Sequence, residues 1–393
     1  MRNPDCRPNA ERAVYVQGFI DQQMVDRLTP AIISLQSQNR DPITVYIDSP
    51  GGAVSSMETL LKLLTVSNQD FAPACRLITV VTSRAASAAA DMLSSGDYAI
   101  AFPQSTVLYH GIRTSQERPL TVEVTSLLSQ MLRLANDNYA MELARKIEFR
   151  FMFRFITTKA QFDEVRAKHQ PKQMTDLECF LDLISEKLSE PAKKVLQQAK
   201  ERYERYDDLL NSVLRRSERI SGNKRIAEIE AVRIKAIVDY EVRKNRKNKD
   251  WSFQYAGLTR LTDDFFLLNE HLSSFQSERL KTLCVKWSGF LLSQDQSNEI
   301  ARLPEDQRND RTVGMVRPVL QPVWSFFVAL CHALQEGEND LTARDAFWLG
   351  LIDEVMGVAD LPAFRFIAEY ELTPAKGQAL EAGSEEKAEA AAT

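Results

Sequence analysis

Short apolar runs and helical spacings alternate over the first 110 residues of the chain. Four runs have the length and composition of buried β-strands, at residues 13–19, 43–47, 77–82 and 106–109. Between them, apolar residues recur at helical spacing over residues 21–38, 55–65 and 87–93. Strands that alternate with helices are typical of βαβ units, so this part of the chain predicts an α/β fold with a largely parallel sheet.

From residue 120 onward the pattern becomes helical. Residues 120–147 predict one long helix, and most of the chain as far as residue 334 has the same period. Residues 190–240 are rich in charge with apolar residues along one face, which is typical of a helical hairpin or short coiled coil. Residues 341–355 predict a helix, a turn and a short strand, whereas the low-complexity tail from residue 373 predicts disorder.

Composition narrows the class of protein. The 393 residues suggest two or three domains, and 44% hydrophobic with 26% charged residues is an ordinary globular balance. The net charge of −5 gives no general attraction to nucleic acid, and the basic run RKNRKNK at 243–249 is flanked by acidic residues. The scattered cysteines and histidines match no metal-ligand spacing. No apolar leader or membrane span is evident, so we expect a cytoplasmic protein with neither metal nor cofactor.

Three short segments carry residues suited to acyl transfer. The segment YIDSPGGAV at 46–54 ends a strand in two glycines, whose backbone N–H groups can face a developing negative charge. The segment SRAASAAA at 83–90 places Ser87 among small residues at the start of a predicted helix. The segment VLYHG at 107–111 places His110 at a strand end, where it can serve as a general base. Taken singly, each segment also has a non-catalytic interpretation: an ordinary turn, a tightly packed helix start and a structural histidine, respectively.

The order of the three segments adds weight to a catalytic interpretation. Each segment follows a predicted strand, and the carboxyl ends of parallel strands meet at one edge of a sheet. The chain resembles the proteolytic subunit of the Clp protease in three segments, YIDSPGGAV, AASAAADMLSSG and FPQSTVLYHG. The resemblance covers residues 13–140 and extends to 338–358, where LTARDAFWLGLID is similar to the closing element of that family. It implies the ClpP/crotonase fold, a ββα superhelix, with a large mainly α-helical insertion.

The resemblance also implies roles for individual residues. Ser87 takes the place of the nucleophile and His110 that of the base. The backbone N–H groups of Gly52 and Ala88 correspond to the oxyanion hole. The carboxylate of the triad falls on Glu338, where the family has an aspartate, and Asp340 is the alternative.

Two features depart from the family pattern. Residues 174–184 (MTDLECFLDLI) also resemble the closing element, but in that register the acid position is Pro171, with His169 nearby. We prefer the later segment because its GLID is the closer match. The family also has glycine where Ser83 stands, and Met-Gly where this chain has Ala88 and Ala89.

The sequence therefore predicts four regions. They are a first core part (13–140), a helical insertion (141–335), a closing segment (336–372) and a disordered tail (373–393). The favoured function is a Clp-type serine peptidase, a hydrolase that acts on peptides or unfolded proteins within a homo-oligomeric ring, with an AAA+ ATPase unfoldase as a further expected partner. The alternative is a weakly active or inactive relative that serves as an assembly scaffold. A serine–lysine hydrolase and a crotonase-like acyl-CoA enzyme are the remaining interpretations of the same fold.

Overall fold

The computed structural model describes residues 6–65, 75–113, 121–168, 174–221, 274–358 and 361. The basic run at 243–249, the tail at 373–393, His169 and Pro171 lie outside these ranges. Predictions about them are therefore not addressed by the structure.

Within the described residues, seven strands form one mixed, largely parallel sheet. They are β1 Ala13–Gln17, β2 Ile43–Ser49, β3 Leu77–Ala86, β4 Tyr98–Ala101, β5 Thr106–His110, β6 Glu338–Thr342 and β7 Glu354–Val355. The strand order is β1-β2-β3-β4-β7, with β5 paired to β3 and β6 paired to β5. Every pairing is parallel except that of β5 with β6. The predicted α/β class with a largely parallel sheet is confirmed.

Helices flank this sheet and make up most of the region after residue 121. They are α1 Gln22–Gln38, α2 Val54–Thr65, α3 Ala88–Ser94, α4 Val122–Thr158, α5 Phe162–Lys168, α6 Asp176–Ser185, α7 Glu190–Ser221, α8 Ser274–Leu291, α9 Gln294–Ala301, α10 Glu305–Leu334 and α11 Ala343–Trp348. The predicted large helical region is therefore present. The predicted helix at 120–147 is the first two thirds of α4, which continues to Thr158.

Strand β3 is the longest strand and organises the site-bearing edge of the sheet. Its first half pairs with β4 at Ile78–Val81, and its last three residues pair with β5. Strand β5 thus takes over the edge of β3 where β4 ends, which brings the carboxyl ends of β3 and β5 close together. Strand β4, with the sequence YAIA, was not predicted, and β3 extends beyond residue 82, where we expected it to end.

The helical region shares its core with the sheet. One continuous cluster of buried apolar side chains includes Val45 of β2, Phe155 of α4 and Trp287 of α8. The boundary predicted at 140/141 lies inside α4, so the chain continues without a linker from the first region into the second. The four-region division remains a prediction, but within the described ranges the helical region packs as part of the same body as the sheet.

Two buried arginines of α4 fasten this helix to the closing segment. Arg150 forms an ion pair with Asp353, with 2.7 Å between Nε and Oδ2, and Asp353 also accepts a hydrogen bond from the N–H of Ala99. Arg154 donates to the carbonyl oxygen of Ile352 and lies over the ring of Phe347. Burial lowers the pKa of Arg154 to about 9. These contacts hold β7 against β4 and fix α4 relative to the sheet.

The apolar character of α10 follows from its place in the core. Within the described part of the chain, α10 is the one helix long and apolar enough, by composition, to cross a membrane. Its buried side chains include Trp324, Phe326 and Phe327, and the helix packs against α4, α7 and α8. Packing inside the protein is therefore sufficient to account for its composition.

Candidate active site

The three segments singled out in the sequence meet at one edge of the sheet. Strand β2 pairs with β3 up to Ser49 opposite Ala85, so the glycine loop that follows β2 lies beside the end of β3. The N–H of Ser87 donates to the carbonyl oxygen of Leu108 at 2.8 Å, which continues the β3–β5 pairing by one residue. His110 lies two residues further along β5.

Ser87 has a strained backbone at the turn from β3 into α3. Its φ of 55° and ψ of −127° make it the one non-glycine residue with positive φ in the described ranges. Such a conformation is costly for a residue with a Cβ and clusters at functional sites. The side chain is half-buried, and its hydroxyl does not cap α3. A strained serine at a strand-to-helix turn is also the geometry of the nucleophile turn in α/β-hydrolases.

Gly51 is required where the loop approaches this serine. Its φ is +95°, and a Cβ at this position would lie 2.5 Å from the carbonyl oxygen of Ala86 and 2.8 Å from Cβ of Ser87. A real Cβ does not tolerate such distances. The N–H of Gly51 donates to Oγ of Ser49 at 3.0 Å, which fixes the loop from its other side. The glycine is therefore demanded both by the dihedral angle and by the close approach to Ser87.

Two backbone N–H groups beside Ser87 have no acceptor within the described residues. They belong to Gly52 and to Ala88, the first residue of α3. The neighbouring groups are engaged, because the carbonyl of Gly51 accepts from Ile20 and the N–H of Ala53 donates to Ile20. Unengaged N–H groups next to a nucleophile can bind an oxyanion. This is the role that the resemblance assigns to Gly52 and Ala88.

His110 is held in a defined tautomer by the main chain. Its Nδ1 lies 2.7 Å from the carbonyl oxygen of Gly111. Since a carbonyl oxygen only accepts, Nδ1 carries the proton and the Nε2 of the neutral ring has a free lone pair. That is the tautomer a general base requires. Within the described ranges, no hydrogen bond joins Oγ of Ser87 to His110; catalytic contacts in ligand-free sites often tighten only with substrate bound.

The candidate carboxylates lie on the neighbouring strand. Glu338 is directly opposite His110 in the antiparallel β5–β6 pair, and Asp340 is opposite Leu108. Residues opposite each other in such a pair share one face of the sheet. The carboxylate of Glu338 is paired with Arg113, and both side chains are largely exposed. In the described part of the chain neither Glu338 nor Asp340 bonds to His110.

The two candidate closing segments have different positions. Residues 338–342 form β6 beside β5, and Thr342 caps α11. The earlier segment, 174–184, forms α6, which has its own capping box at Thr175 and packs against α5. Only the later segment pairs with the strand that carries His110, as far as the described residues go.

Sequence reasoning missed several residues that support the site. Tyr109 is fully buried, and its hydroxyl contacts Oγ of Ser94 and the carbonyl oxygen of Ala90, at 3.0 Å, on α3. The N–H of Ile112 donates to Oδ1 of Asn136 on α4 at 2.7 Å. These contacts join elements distant in the chain, so no local pattern signals them.

A buried carboxyl group lies one turn beyond Ser87 on α3. Burial raises the pKa of Asp91 to about 6, with Lys146 of α4 acting in the opposite direction and Glu142 adding to the rise. Among the residues that the structure describes, no cluster of three or more histidine, cysteine or acidic side chains could hold a metal ion.

Comparison with known proteins shows similarity to the Clp protease family. The Clp protease family profile matches residues 7–138. The chain is 31% identical over 102 residues to the ATP-dependent Clp protease proteolytic subunit of Carsonella ruddii, a match covering 25% of this chain and 50% of the relative. It is 29% identical over 128 residues (32% of the chain, 52% of the relative) to the ATP-dependent Clp protease proteolytic subunit 1 of Bifidobacterium longum. For the proteolytic subunit 1 of Thermobifida fusca the identity is 27% over 135 residues, covering 34% of the chain and 58% of the relative.

The profile match and the matches to the curated relatives each cover only part of a sequence. The profile ends near the middle of α4, and the chain spans about half the length of the curated relatives it matches. The matched residues contain Ser87, His110 and the glycine loop. Over residues 7–138 the chain is therefore ClpP-like, and β6 and β7, which complete its sheet, lie outside the matched range.

Proposed function

We propose that this chain is a Clp-type serine peptidase that hydrolyses peptide bonds in peptides or unfolded proteins. The observation that carries the proposal is the strained Ser87 turn, which presents a hydroxyl beside the unengaged N–H groups of Gly52 and Ala88. A strained residue persists only where the surrounding structure enforces it, and here the N–H of Ser87 is held by the carbonyl oxygen of Leu108 while Gly51 packs closely against it. The matches to Clp protease proteolytic subunits point to the same reaction class.

The proposed reaction is acyl transfer through a covalent intermediate. Oγ of Ser87 attacks the scissile carbonyl carbon while its proton passes to Nε2 of His110. The resulting oxyanion is bound by the N–H groups of Gly52 and Ala88. The C–N bond then breaks, His110 returns the proton to the leaving amine, and a water molecule activated by the same histidine hydrolyses the ester. Glu338, with Asp340 as the alternative, supplies negative charge opposite the imidazolium.

Self-association is part of the proposal and has a physical basis in α4. The first half of this helix exposes large apolar side chains at coiled-coil spacing: Val124, Leu127, Met131 and Leu134, 38% to 61% exposed. Such a stripe is typical of an interaction surface. We propose that it joins copies of the chain in a homo-oligomer. An AAA+ ATPase unfoldase as partner and a cytoplasmic location complete the proposal, which requires no cofactor.

Hydrolysis and labelling test the catalytic part. Purified protein should cleave fluorescent casein or a fluorogenic peptide library, and a fluorophosphonate should modify Ser87, as located by mass spectrometry. Both signals should vanish in Ser87→Ala and fall at least about 100-fold in His110→Ala. Labelling that leaves Ser87 untouched in every assembly state would refute the peptidase.

Sedimentation velocity tests the assembly part. Replacing Leu127 and Leu134 together by lysine should convert the assembly to smaller species. The matched control places two lysines at Thr125 and Ser129, which are exposed polar positions on another face of the same helix. This control should leave the sedimentation coefficient unchanged. Assembly unaffected by the leucine substitutions would show that the α4 stripe does not join copies of the chain.

A catalytically inactive assembly protein is the second candidate, and one observation favours it. Within the described residues, His110 contacts neither Oγ of Ser87 nor a carboxylate, and Glu338 is engaged by Arg113. The scaffold hypothesis therefore predicts assembly without labelling of Ser87. A serine–lysine hydrolase predicts labelling that survives His110→Ala, and a crotonase-like enzyme predicts no labelling at all.

A further inference from the structure

We propose that Asn136 of α4 is a positioning residue for His110, which it orients through the main-chain carbonyl of Gly111. In this scheme the tautomer of the base is set by that carbonyl, and Glu338 contributes charge alone. The inference rests on the proposed function, because it concerns how the same serine is activated.

The first step is the contact between His110 and Gly111. A serine triad uses its third member in two ways: to hold the ring with Nδ1 protonated, and to stabilise the imidazolium. The 2.7 Å contact between Nδ1 and the carbonyl oxygen of Gly111 performs the first task. The residue in register with the family's acid, Glu338, is turned to Arg113 and is exposed to solvent. The carbonyl of Gly111 thus holds the ring with Nδ1 protonated, and the more distant carboxylate of Glu338 supplies charge for the imidazolium.

The second step is the fixation of that carbonyl. A residue bonding to its own successor does not by itself fix a ring, since the peptide can rotate. The next N–H, of Ile112, donates to Oδ1 of Asn136 at 2.7 Å, which anchors the backbone immediately after Gly111. The amide of Asn136 also lies against Gly111, because a Cβ built on this glycine would be 2.7 Å from Nδ2.

The third step is the rigidity of the surroundings. The same space beside Gly111 is also bounded by the carbonyl oxygen of Gln335, 2.8 Å from the same Cβ position, where α10 ends. The Cβ side of this glycine therefore faces both α4 and the end of α10, and a side chain there would meet both. Asn136 is half-buried, and its Oδ1 accepts from the main chain next to Gly111, so its effect on the ring passes through the backbone.

The consequence is that the helical region takes part in setting the base. Asn136 lies on the helix that Arg150 and Arg154 fasten to the closing segment. A change in the placement of α4 would alter the Gly111 peptide and thereby the His110 tautomer.

Three variants of the full chain test the inference by fluorophosphonate labelling of Ser87. Asn136→Ala removes the acceptor for Ile112 and should lower the labelling rate about tenfold or more, whereas Asn136→Asp keeps an oxygen acceptor and should stay within about threefold of the parent. Asn138→Ala, an exposed neighbour on the same helix, is the matched control and should label at the parental rate. Circular dichroism melting curves would confirm that each variant is folded. A parental rate in Asn136→Ala would overturn the proposal.

A spectroscopic measurement separates this inference from the proposed function. Magic-angle-spinning NMR of ¹⁵N-histidine protein reports which ring nitrogen is protonated, and His110→Ala identifies the relevant signals among the four histidines. At a pH where the ring is neutral, His110 should carry its proton on Nδ1 in the parent and lose this preference in Asn136→Ala. An Nδ1-protonated His110 without labelling of Ser87 would remove the peptidase but keep the positioning role. An unprotonated Nδ1 of His110 in the parent would contradict the positioning role of Asn136.

Discussion

The nucleophile half and the base half of the site are built in different ways. Ser87, Gly51 and Gly52 are fixed by short-range backbone geometry, with one strained dihedral pair and one glycine–serine approach. His110 depends instead on α4 and on β6, whose residue Glu338 is 225 positions from its partner Arg113. The nucleophile half thus depends on backbone conformation where β2 and β3 end, whereas the base half also depends on side chains of α4 and β6. Substitutions in the two halves should therefore have distinct effects.

The largest effect is expected at Gly51. Gly51→Ala forces a side chain into 2.5 Å of the Ala86 carbonyl at a φ of +95°. It should lower the free energy of unfolding by about 3 kcal/mol and abolish labelling of Ser87. The matched control is Gly18→Ala, because Gly18 has a φ of +83° with no atom within 4 Å of its Cβ position. The control should cost only about 1–2 kcal/mol and leave labelling intact. Urea denaturation measures the free energy of unfolding of both variants, and fluorophosphonate labelling measures the reactivity of Ser87. Equal losses of stability and labelling in the two variants would contradict the importance of the close approach to Ser87.

The next effect concerns the fastening of α4. Arg154→Met removes the guanidinium that donates to the carbonyls of Arg150 and Ile352 and leaves both acceptors buried. We expect a loss of about 2–4 kcal/mol in urea unfolding. Arg27→Met, on the exposed side of α1, is the control and should change stability by less than about 0.5 kcal/mol. A buried arginine that can be replaced without cost would mean that α4 is held by its apolar contacts alone.

A smaller, pH-dependent effect is expected beneath the nucleophile. The pKa of Asp91 is raised to about 6 by burial, so its ionised form is disfavoured in the folded state. The resulting penalty is absent below about pH 4 and grows as the pH rises through 6. Asp91→Asn should therefore stabilise the protein by about 1–3 kcal/mol at pH 8 and by almost nothing at pH 4. Urea unfolding at both pH values measures this difference. An identical change at the two pH values would exclude Asp91 as the titrating group.

The smallest effect is expected at Glu338. Because this carboxylate is exposed and paired with Arg113, Glu338→Gln should lower the labelling rate of Ser87 by less than about tenfold. Asp340→Asn is the companion variant and tests the alternative acid. If the labelling rate in either variant fell as far as in His110→Ala, that carboxylate would be the residue that orients His110. The assignment of this task to the Gly111 carbonyl would then be wrong.

The nucleophile half could be predicted because its signals are local. Pro50, the glycine pair and the alanines around Ser87 all lie within a few residues of the groups they position. Strand ends are visible in sequence, so Ser87 and His110 could be singled out there, whereas Gly52 was assigned through the resemblance to the Clp protease family. The α/β class followed from the same alternation of patterns.

Other elements depend on tertiary context. Strand β4 consists of four residues, two of them alanine, and forms because it is fully buried between β3 and β7. Strand β6 is mostly polar, and Nδ2 of Asn339 lies within hydrogen-bond distance, 2.8 to 3.1 Å, of three carbonyl oxygens at the end of α10. Neither strand could be predicted from the spacing of hydrophobic residues in the sequence. The same holds for Asn136, which acts across 24 residues of chain.

The central claim is that Ser87 is activated by His110. Its most direct test is the rate constant of fluorophosphonate modification at Ser87 across about pH 5 to 9. We predict a rise that follows a single ionisation in the parent and is absent in His110→Ala, with no modification in Ser87→Ala. A rate that is the same in parent and His110→Ala at every pH would contradict the claim.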